Sequence, residues 1–408
     1  MGTAYSGAAV IGQSGGPTNV INHSLIGAVL EASKYPRLIT DFYGAIHGVE
    51  GILKENFVNL RAESLDNLEL ISHTPSSALR SVRKKPDKEE CKLIFDNFRK
   101  HGVRYFFYIG GNDSAETALI INDFAKQAQY EFHAFHIPKT IDNDLRETDH
   151  CPGYGSAARF VAMAFQGANL DNRSIPGVYI GVVMGRHAGF LTAASVLGKT
   201  FKDDGPHLVY CPENVFDPDK FITDVDKVYK KYGRCVVAVS EGIHEKSGKP
   251  IIQSLQKEVE TDSHGNVQLS GTSALGDSLS SLLKKNLKVK RVRSDTFGYL
   301  QRCFPGMVSE VDAWEARRVG EEAVLAAVSG HFEGSVAIKR RGNKPYKVDY
   351  EIVELKKVAR HTVAMPKDFF EGDSGVSQKF IEYAMPLVSE LPGIGRLKDI
   401  SIVKGGSY

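Results

Sequence analysis

Cysteine is scarce in this sequence of 408 residues, and the five cysteines are widely spaced, with no Cys-x-x-Cys pair. This spacing argues against a disulfide framework or a zinc site, and it fits a reducing compartment. No apolar run approaches the ~18 residues of a membrane-spanning helix, and the amino terminus lacks the charged and apolar regions of a signal peptide. We therefore expect a cytoplasmic protein with no membrane partner.

The sequence also has almost no excess of charge of one sign, since 51 basic residues stand against 49 acidic ones. Such a balance argues against a nucleic-acid scaffold. One basic segment, residues 288–293, alternates in character, and we interpret it as a strand with one basic face rather than a nucleic-acid site. Glycine, by contrast, is abundant, with 39 residues, so the positions of the glycines are informative.

Short β-prone runs alternate with amphipathic helical patterns along the chain. The strand-like runs lie at residues 8–11, 105–109, 132–137, 178–183, 207–211 and 235–240. This repetition predicts an α/β protein whose sheets are mostly parallel and covered by helices on both faces. A second α/β unit is expected to begin after Gly155.

Glycine-rich or polar segments follow the first three of these runs, at residues 12–18, 110–114 and 138–144. In open α/β sheets, ligands bind where the carboxyl ends of the strands meet. Glycine lets the backbone approach a phosphate, and a following helix N-terminus adds positive charge. The three segments together predict a phosphate site beside carboxylates. Taken singly, the first is also compatible with a tight turn and the last with an Asx-rich turn.

Five motifs occur in a fixed order along the chain. They are Gly-Gly-Asn-Asp-Ser at 110–114, Pro-Lys-Thr-Ile-Asp-Asn-Asp at 138–144, Met-Gly-Arg at 184–186, Ser-Glu-Gly at 240–242 and Gly-Tyr-Leu-Gln-Arg at 298–302. In this order they resemble the phosphofructokinase family, and more narrowly its pyrophosphate-dependent branch. The resemblance extends from about residue 8 to about residue 330.

The resemblance implies an architecture of two similar Rossmann-like lobes with the active site in the cleft between them. Residues 1–153 with about 303–355 are expected to form the lobe that binds pyrophosphate and magnesium. Residues 154–302 with about 356–408 are expected to form the lobe that binds fructose 6-phosphate.

The resemblance also implies an enzyme that transfers a phosphoryl group reversibly from pyrophosphate to the 1-hydroxyl of fructose 6-phosphate, with Mg²⁺ as cofactor. The products are fructose 1,6-bisphosphate and phosphate, and the family suggests a homo-oligomer, either a dimer or a tetramer. Asp142 matches the base that takes the proton from the hydroxyl, and Arg186 matches the residue that stabilises the transferring group.

The remaining roles follow from the same matches. The catalytic group is expected to comprise Lys139, Thr140, Asp142 and Arg186. Pyrophosphate is expected to contact Gly15, Gly16, Arg83, Gly111, Asp113 and Lys139. Fructose 6-phosphate is expected to contact Thr140, Asp142, Met184, Gly185, Arg186, Glu241, Arg293, Tyr299 and Arg302. Magnesium is expected to contact Asn112, Asp142 and Asp144.

The identity of the phosphoryl donor depends on two residues, Asp113 and Lys139, because ATP-dependent relatives have glycines at both positions. A carboxylate ~4 Å from the α-phosphate of ATP would weaken ATP binding by between ~1 and ~4 kcal/mol. A lysine would favour pyrophosphate because it offers a positive charge to the terminal oxygens. The alternatives are an ATP-dependent phosphofructokinase and a non-catalytic paralogue that binds sugar phosphate. Such a paralogue should lack the base or the arginine, whereas Asp142 and Arg186 are both present.

Three positions depart from the family pattern. Asn112 stands where many relatives have a metal-binding aspartate. Arg80 replaces a glycine close to Arg83. Arg83 is the better match to the family's arginine that contacts the donor phosphate, and Arg80 is a second arginine nearby. The segment Gly177-Val178 lacks an arginine that ATP-type relatives supply to a neighbouring subunit, which leaves a sugar-phosphate site shared between subunits in doubt.

Overall fold

The computed structural model describes residues 5–255 and 272–397, and the structural statements below refer to these residues. The predicted lobes also include residues 1–4, 256–271 and 398–408, and those parts of the prediction lie outside the described residues. Within the described ranges, every helix is too short or too polar to span a lipid bilayer.

The strands form two sheets in which most neighbours pair in parallel, as the sequence predicts. In chain order, the strands are β1 (Gly7–Gln13), β2 (Ile39–Ala45), β3 (Phe57–Asn59), β4 (Val103–Gly110), β5 (His133–Pro138), β6 (Val178–Val183), β7 (Leu208–Tyr210), β8 (Cys235–Ser240), β9 (Val292–Thr296), β10 (Glu333–Asn343) and β11 (Tyr346–Val353). Each strand-like run of the sequence coincides with one of these strands, with only small shifts at the ends.

Helices connect the strands and cover the sheets. In chain order, they are α1 (Ile21–Ala32), α2 (Val49–Leu53), α3 (Leu65–Ser72), α4 (Lys88–Lys100), α5 (Asn112–Gln127), α6 (Tyr154–Ser174), α7 (Phe190–Ala193), α8 (Pro218–Tyr232), α9 (Ile251–Leu255), α10 (Ala274–Asn286), α11 (Leu300–Cys303), α12 (Glu310–Val328), α13 (Leu355–Val358) and α14 (Gln378–Ala384). The predicted α/β architecture is thereby confirmed.

The larger sheet has the order β11-β10-β5-β4-β1-β2-β3. Its central strands run parallel, while β3 and β11 pair antiparallel at the two edges. Helices α1 and α12 pack on one face, and helices α4 and α5 pack on the other. Because both faces are covered, β4 is buried almost throughout, which explains its run of aromatic residues.

Helices α1 and α12 approach each other closely at two glycines. A Cβ atom on Gly27 would lie 2.2 Å from the carbonyl oxygen of Arg317, and one on Gly320 would lie 2.1 Å from that of Ser24. Neither position has room for a larger residue, so the two glycines fix the separation of the helices. This contact joins the late segment that contains α12 to the first helix of the chain.

The smaller sheet has the order β7-β8-β6-β9, and all its pairs are parallel. Helices α6 and α7 cover one face, and helices α8 and α10 cover the other. The prediction of a strand at residues 288–293 is wrong for its first part, because β9 begins only at Val292. Residues 288–291 instead form the exposed connection from α10, with Val289 packed against the core and the lysines in solvent.

Candidate active site

The polar loops after β1, β4 and β5 meet at one edge of the larger sheet, because these three strands are adjacent and parallel. Hydrogen bonds join the loops directly. The Ser14 hydroxyl donates to the carbonyl of Ile109 at 2.9 Å, and the Lys139 backbone N–H donates to the carbonyl of Gly110 at 2.9 Å. The Lys139 ammonium also donates to the carbonyl of Gly16 at 2.8 Å.

A cavity of about 270 Å³ opens at this edge and lies between the two sheets. It is lined by Gly16, Pro17, Arg83, Lys139, Thr140, Ile141, Asp142, Met184, Arg186, Glu241 and Arg302. Gly16, Pro17 and residues 139–142 follow β1 and β5 of the larger sheet, and Arg83 lies in the segment between α3 and α4. The last four residues follow β6 and β8 or belong to α11. Four basic side chains and two carboxylates thus face one small space, which suits a ligand with several phosphate charges.

The Asp142 carboxyl is the group with the most altered acidity in this cavity. Burial above all, together with the nearby Asp144 and Glu241 carboxylates, raises its pKa from 3.8 to about 7. Lys139 and Arg186 oppose that effect by favouring the charged carboxylate. A carboxyl group with a pKa close to neutrality can accept and release a proton at physiological pH.

Lys139 is buried beside two arginines. Burial above all, together with the Arg302 and Arg83 guanidinium groups, lowers the pKa of its ammonium from 10.5 to about 8, while Asp142 opposes this shift. Of the two arginines that competed in the sequence, Arg83 lines the cavity. Arg80 instead points to solvent, from a backbone with a φ of +60°.

Thr140 and Asp144 flank Asp142 on the same loop, the catalytic loop of residues 138–144. The Thr140 hydroxyl lies 3.4 Å from Asp144 Oδ1 and accepts a hydrogen bond from the Asp142 N–H at 3.1 Å. Burial raises the pKa of Asp144 as well, against hydrogen bonds from its own backbone and from Thr140. Within the described residues, no three His, Cys, Asp or Glu side chains are gathered into a metal cage built by protein alone.

The loop after β6 presents Met184 and Arg186 to the cavity. Its central residue, Gly185, has a φ of +141°, and its carbonyl accepts a hydrogen bond from the Ser240 hydroxyl at 2.5 Å. A Cβ atom on Gly242 would lie 2.2 Å from the Arg186 carbonyl oxygen. The Met-Gly-Arg and Ser-Glu-Gly motifs therefore pack directly on each other.

Several predicted site residues lie outside the cavity lining, namely Gly15, Gly111, Asn112, Asp113, Asp144, Gly185, Arg293 and Tyr299. Asn112 and Asp113 occupy the first turn of α5, where the Asn112 side chain accepts the Asp113 N–H at 3.0 Å. The exposed Asp113 carboxylate lies 3.4 Å from the Lys85 ammonium.

Arg293 and Tyr299 do not belong to the lining of this cavity. Arg293 is exposed on the edge strand β9 and donates to the carbonyl of Val292 at 3.0 Å. Tyr299 is 48% exposed. Its ring lies 4.7 Å below the guanidinium of Arg302, which does reach the cavity.

Sequence reasoning missed two residues that support the site. The Gln301 amide oxygen accepts the Met184 N–H at 3.2 Å, and this residue could have been found because it lies inside a recognised motif. Glu213 Oε1 accepts the N–H groups of Gly189 at 2.8 Å and Met365 at 2.9 Å. No local pattern marks Glu213, since its second partner is 152 residues away.

Comparisons with known proteins agree with this geometry. The family model described as Phosphofructokinase matches residues 8–327. A Rhodospirillum rubrum protein named pyrophosphate--fructose 6-phosphate 1-phosphotransferase is 56% identical over 402 residues, which cover 98% of this chain and 99% of that protein. A Methylococcus capsulatus protein of the same name is 34% identical and covers 92% of this chain and 90% of its own length.

A crystal structure gives the same result. The pyrophosphate-dependent phosphofructokinase from Marinobacter aquaeolei superposes with a TM-score of 0.83 at 32% identity, and the match covers 98% of each chain. The predicted resemblance to the pyrophosphate-dependent branch is confirmed by these matches. The chain belongs to the phosphofructokinase family.

Proposed function

We propose that this chain catalyses the reversible, Mg²⁺-dependent transfer of a phosphoryl group from pyrophosphate to the 1-hydroxyl of fructose 6-phosphate, giving fructose 1,6-bisphosphate and phosphate. The observation that carries the proposal is the placement of Asp142. Its carboxyl, with a pKa of about 7, faces a cavity that four basic side chains also line. A base near neutral pKa beside phosphate-binding cations is the arrangement that phosphoryl transfer to a hydroxyl requires.

Asp142 acts as the general base. It takes the proton of the 1-hydroxyl as that oxygen forms its bond to phosphorus, while the bond from phosphorus to the departing phosphate breaks. Lys139, Arg83 and Arg186 balance the charge on the transferring group, and such preorganised charges supply much of the rate in this reaction class. In the reverse direction, protonated Asp142 returns the proton to the sugar oxygen, and its pKa suits both directions.

The sugar phosphate occupies the part of the cavity that the smaller sheet supplies. Glu241 accepts hydrogen bonds from sugar hydroxyls, and Met184 with Gly185 shapes the adjoining wall. Arg302 contacts the 6-phosphate. Arg293 and Tyr299 belong to the outer part of this subsite.

Pyrophosphate is the donor because Lys139 fills the space that a nucleotide would need. The Lys139 ammonium already contacts the Gly16 carbonyl at 2.8 Å, so it closes the glycine loop that holds the donor phosphates. Asp113 adds repulsion toward an α-phosphate, and its ion pair with Lys85 weakens that repulsion. We therefore assign most of the discrimination to Lys139. Gly15, Gly16 and Gly111 allow the backbone to approach the pyrophosphate.

Enzymes of the phosphofructokinase family generally need a divalent metal. We propose Mg²⁺, held by Asp142 and Asp144 together with oxygens of the pyrophosphate. Two carboxyl groups whose pKa values are both raised by burial form an oxygen donor set that a cation would neutralise. When bound, the metal would neutralise charge on the phosphates. The Asn112 amide oxygen is engaged by its own helix turn, so we assign Asn112 at most a contact through water.

The predicted lobes remain part of the proposal. Strands β10 and β11 belong to the larger sheet, which supports a first lobe of residues 1–153 with about 303–355. Residues 154–302 with about 356–408 form the second lobe. We also propose a homo-oligomer in the cytoplasm, and light scattering on the purified protein tests its assembly. The five free cysteines agree with a reducing compartment.

A turnover assay tests the function. Purified protein is incubated with fructose 6-phosphate and Mg²⁺, with pyrophosphate or ATP in parallel, and fructose 1,6-bisphosphate is measured. We expect product with pyrophosphate and only background with ATP. Asp142→Asn should lower turnover with pyrophosphate by ~100-fold or more. The matched control is Asp149→Asn, which removes an aspartate close in sequence that does not line the cavity.

Each other outcome has a definite meaning. Turnover with ATP alone would overturn the donor assignment, and no turnover with either donor would favour the non-catalytic paralogue. Equal losses in Asp142→Asn and Asp149→Asn would contradict the assignment of Asp142 as the base.

A further inference from the structure

Asn143 lies between Asp142 and Asp144, and its side chain is buried rather than directed at a ligand. The amide oxygen accepts the Cys151 N–H at 2.9 Å, and the amide nitrogen donates to the Tyr383 hydroxyl at 2.7 Å. The Asn143 backbone has a φ of +59°, in the left-handed region that asparagine tolerates better than most residues. The amide therefore holds the loop at its residue with a left-handed backbone.

Tyr383 reaches this loop from α14, which is 240 residues away in the chain. Its hydroxyl accepts from Asn143 and donates to the carbonyl of Asp149 at 2.9 Å, so both sides of the oxygen are satisfied. The ring is held in place by Phe369, with centroids 5.2 Å apart, and by the Arg340 guanidinium, 4.6 Å from the ring centre. Tyr383 is therefore a rigid support for Asn143.

Two backbone hydrogen bonds to other segments hold the ends of the loop. At its start, the Thr140 N–H donates to the Pro152 carbonyl at 3.2 Å. At its end, the Asp144 carbonyl accepts the Val363 N–H at 2.8 Å. The side chain of Asn143 supplies the link at the centre, next to Asp142.

We propose that Asn143 and Tyr383 form a positioning pair that holds the Asp142 carboxylate against the reacting hydroxyl. The role rests on the proposed function, since it requires Asp142 to act as the base. Neither residue needs to touch the substrate. Three of the four cations that line the cavity, Arg83, Arg186 and Arg302, lie on other segments. The fourth, Lys139, is held by its own hydrogen bonds to Gly110 and Gly16, so loss of the pair should affect the chemical step more than binding.

The first test is Tyr383→Phe, which removes one oxygen and keeps the ring. We expect kcat with pyrophosphate to fall ~10- to 100-fold, because small displacements of a reacting group have effects of that size. The KM values for both substrates should stay within about twofold. Thermal unfolding of the same samples records how much stability is lost.

The matched control is Tyr346→Phe. Tyr346 also presents its ring to Arg340, at 5.2 Å, but its hydroxyl donates to Glu315 at 2.5 Å and lies 3.3 Å from His150 Nε2, rather than next to Asn143. We expect this variant to lose stability and keep its kcat. If Tyr383 had only a structural role, Tyr383→Phe would behave like Tyr346→Phe and would keep its kcat at a similar loss of stability.

A second variant keeps the test decisive if Tyr383→Phe folds poorly. Asn143→Gly removes the amide, and glycine accepts the left-handed backbone. It should show a similar loss of kcat, and the double variant should lose little more than either single one. The proposal is overturned if Tyr383→Phe keeps kcat within twofold, if the two losses multiply, or if Tyr346→Phe loses kcat equally. A wild-type protein without pyrophosphate turnover would overturn the proposed function first, and this role with it.

Discussion

Replacing Asp142 by asparagine should make the protein more stable while it removes activity. Burial and two neighbouring carboxylates raise the pKa of Asp142 to about 7 in the folded chain, against 3.8 for an unperturbed aspartate. The unfolded chain therefore releases this proton near pH 4, whereas the folded chain retains it up to about pH 7. Folding is penalised at every pH above the lower value, and the penalty is complete above about pH 7.

The size of the effect follows from the two pKa values. A difference of one in pKa corresponds to about 1.4 kcal/mol, so the interval from 3.8 to about 7 gives about 4 kcal/mol. The Asp142 side chain lines a cavity and is only partly buried, so we take about half, or about 2 kcal/mol, as the expected effect. Removing this charge also relieves Asp144, which acts in the same direction.

Urea unfolding of wild type and Asp142→Asn at several pH values is the assay. The variant should be more stable by about 2 kcal/mol at pH 8, and the difference should vanish near pH 4. The control is Asp149→Asn, because burial raises the pKa of Asp149 but hydrogen bonds from His150 and Arg340 outweigh this and lower it. This control should be less stable than wild type at pH 8. If Asp142→Asn is no more stable than wild type at pH 8, the argument that the charged Asp142 carboxylate destabilises the folded chain is refuted.

Four further predictions concern the cavity and the core. Arg186→Ala should lower kcat by ~100- to 1000-fold with little change in the unfolding temperature, and an unchanged kcat would remove it from the reaction. Because the pKa of Lys139 is about 8, its charge is lost as the pH rises through that value, so the KM for pyrophosphate should increase between pH 7 and pH 9. In Lys139→Arg, whose charge persists, this increase should be absent, and its persistence would assign the effect to another group. Replacing Asp113 and Lys139 together with glycine should raise kcat/KM for ATP by at least ~10-fold, and ATP use at background would reveal a further barrier. Gly320→Ala should cost ~1 to 3 kcal/mol in urea unfolding, whereas Gly167→Ala, with no atom near its Cβ position, should not destabilise the protein; similar results for both would contradict the close helix contact.

The sequence predicts the part of the cavity that is formed by loops directly after neighbouring parallel strands. Parallel strands end at a shared edge, so the loops that carry Gly16 and Asp142 could be brought together from their positions after strand-like runs alone. Arg302 lies far along the chain from both, and only the family resemblance pointed to it. The same resemblance predicts a 6-phosphate contact for Arg293, and the structure has this residue exposed on the edge strand β9, outside the cavity lining.

The supports of the site could not be predicted for a different reason. Tyr383 and Glu213 act through hydrogen bonds to residues that are distant in sequence, and such contacts leave no periodicity or spacing. Among their partners, Met365 lies in no recognised motif, and Asn143 lies inside one that gives no indication of Tyr383. Only the packed structure identifies which backbone groups they satisfy.

The support that Tyr383 gives to the catalytic loop has a consequence for the order of events during synthesis. The ribosome makes the residues from the N-terminus onward, so Asn143 is complete 240 positions before its partner on α14. A nascent chain can assemble β1, β4 and β5 early, but the loop after β5 still lacks the hydrogen bond from Asn143 to Tyr383. Catalytic competence therefore arrives late in translation, after the scaffold that carries it has already formed.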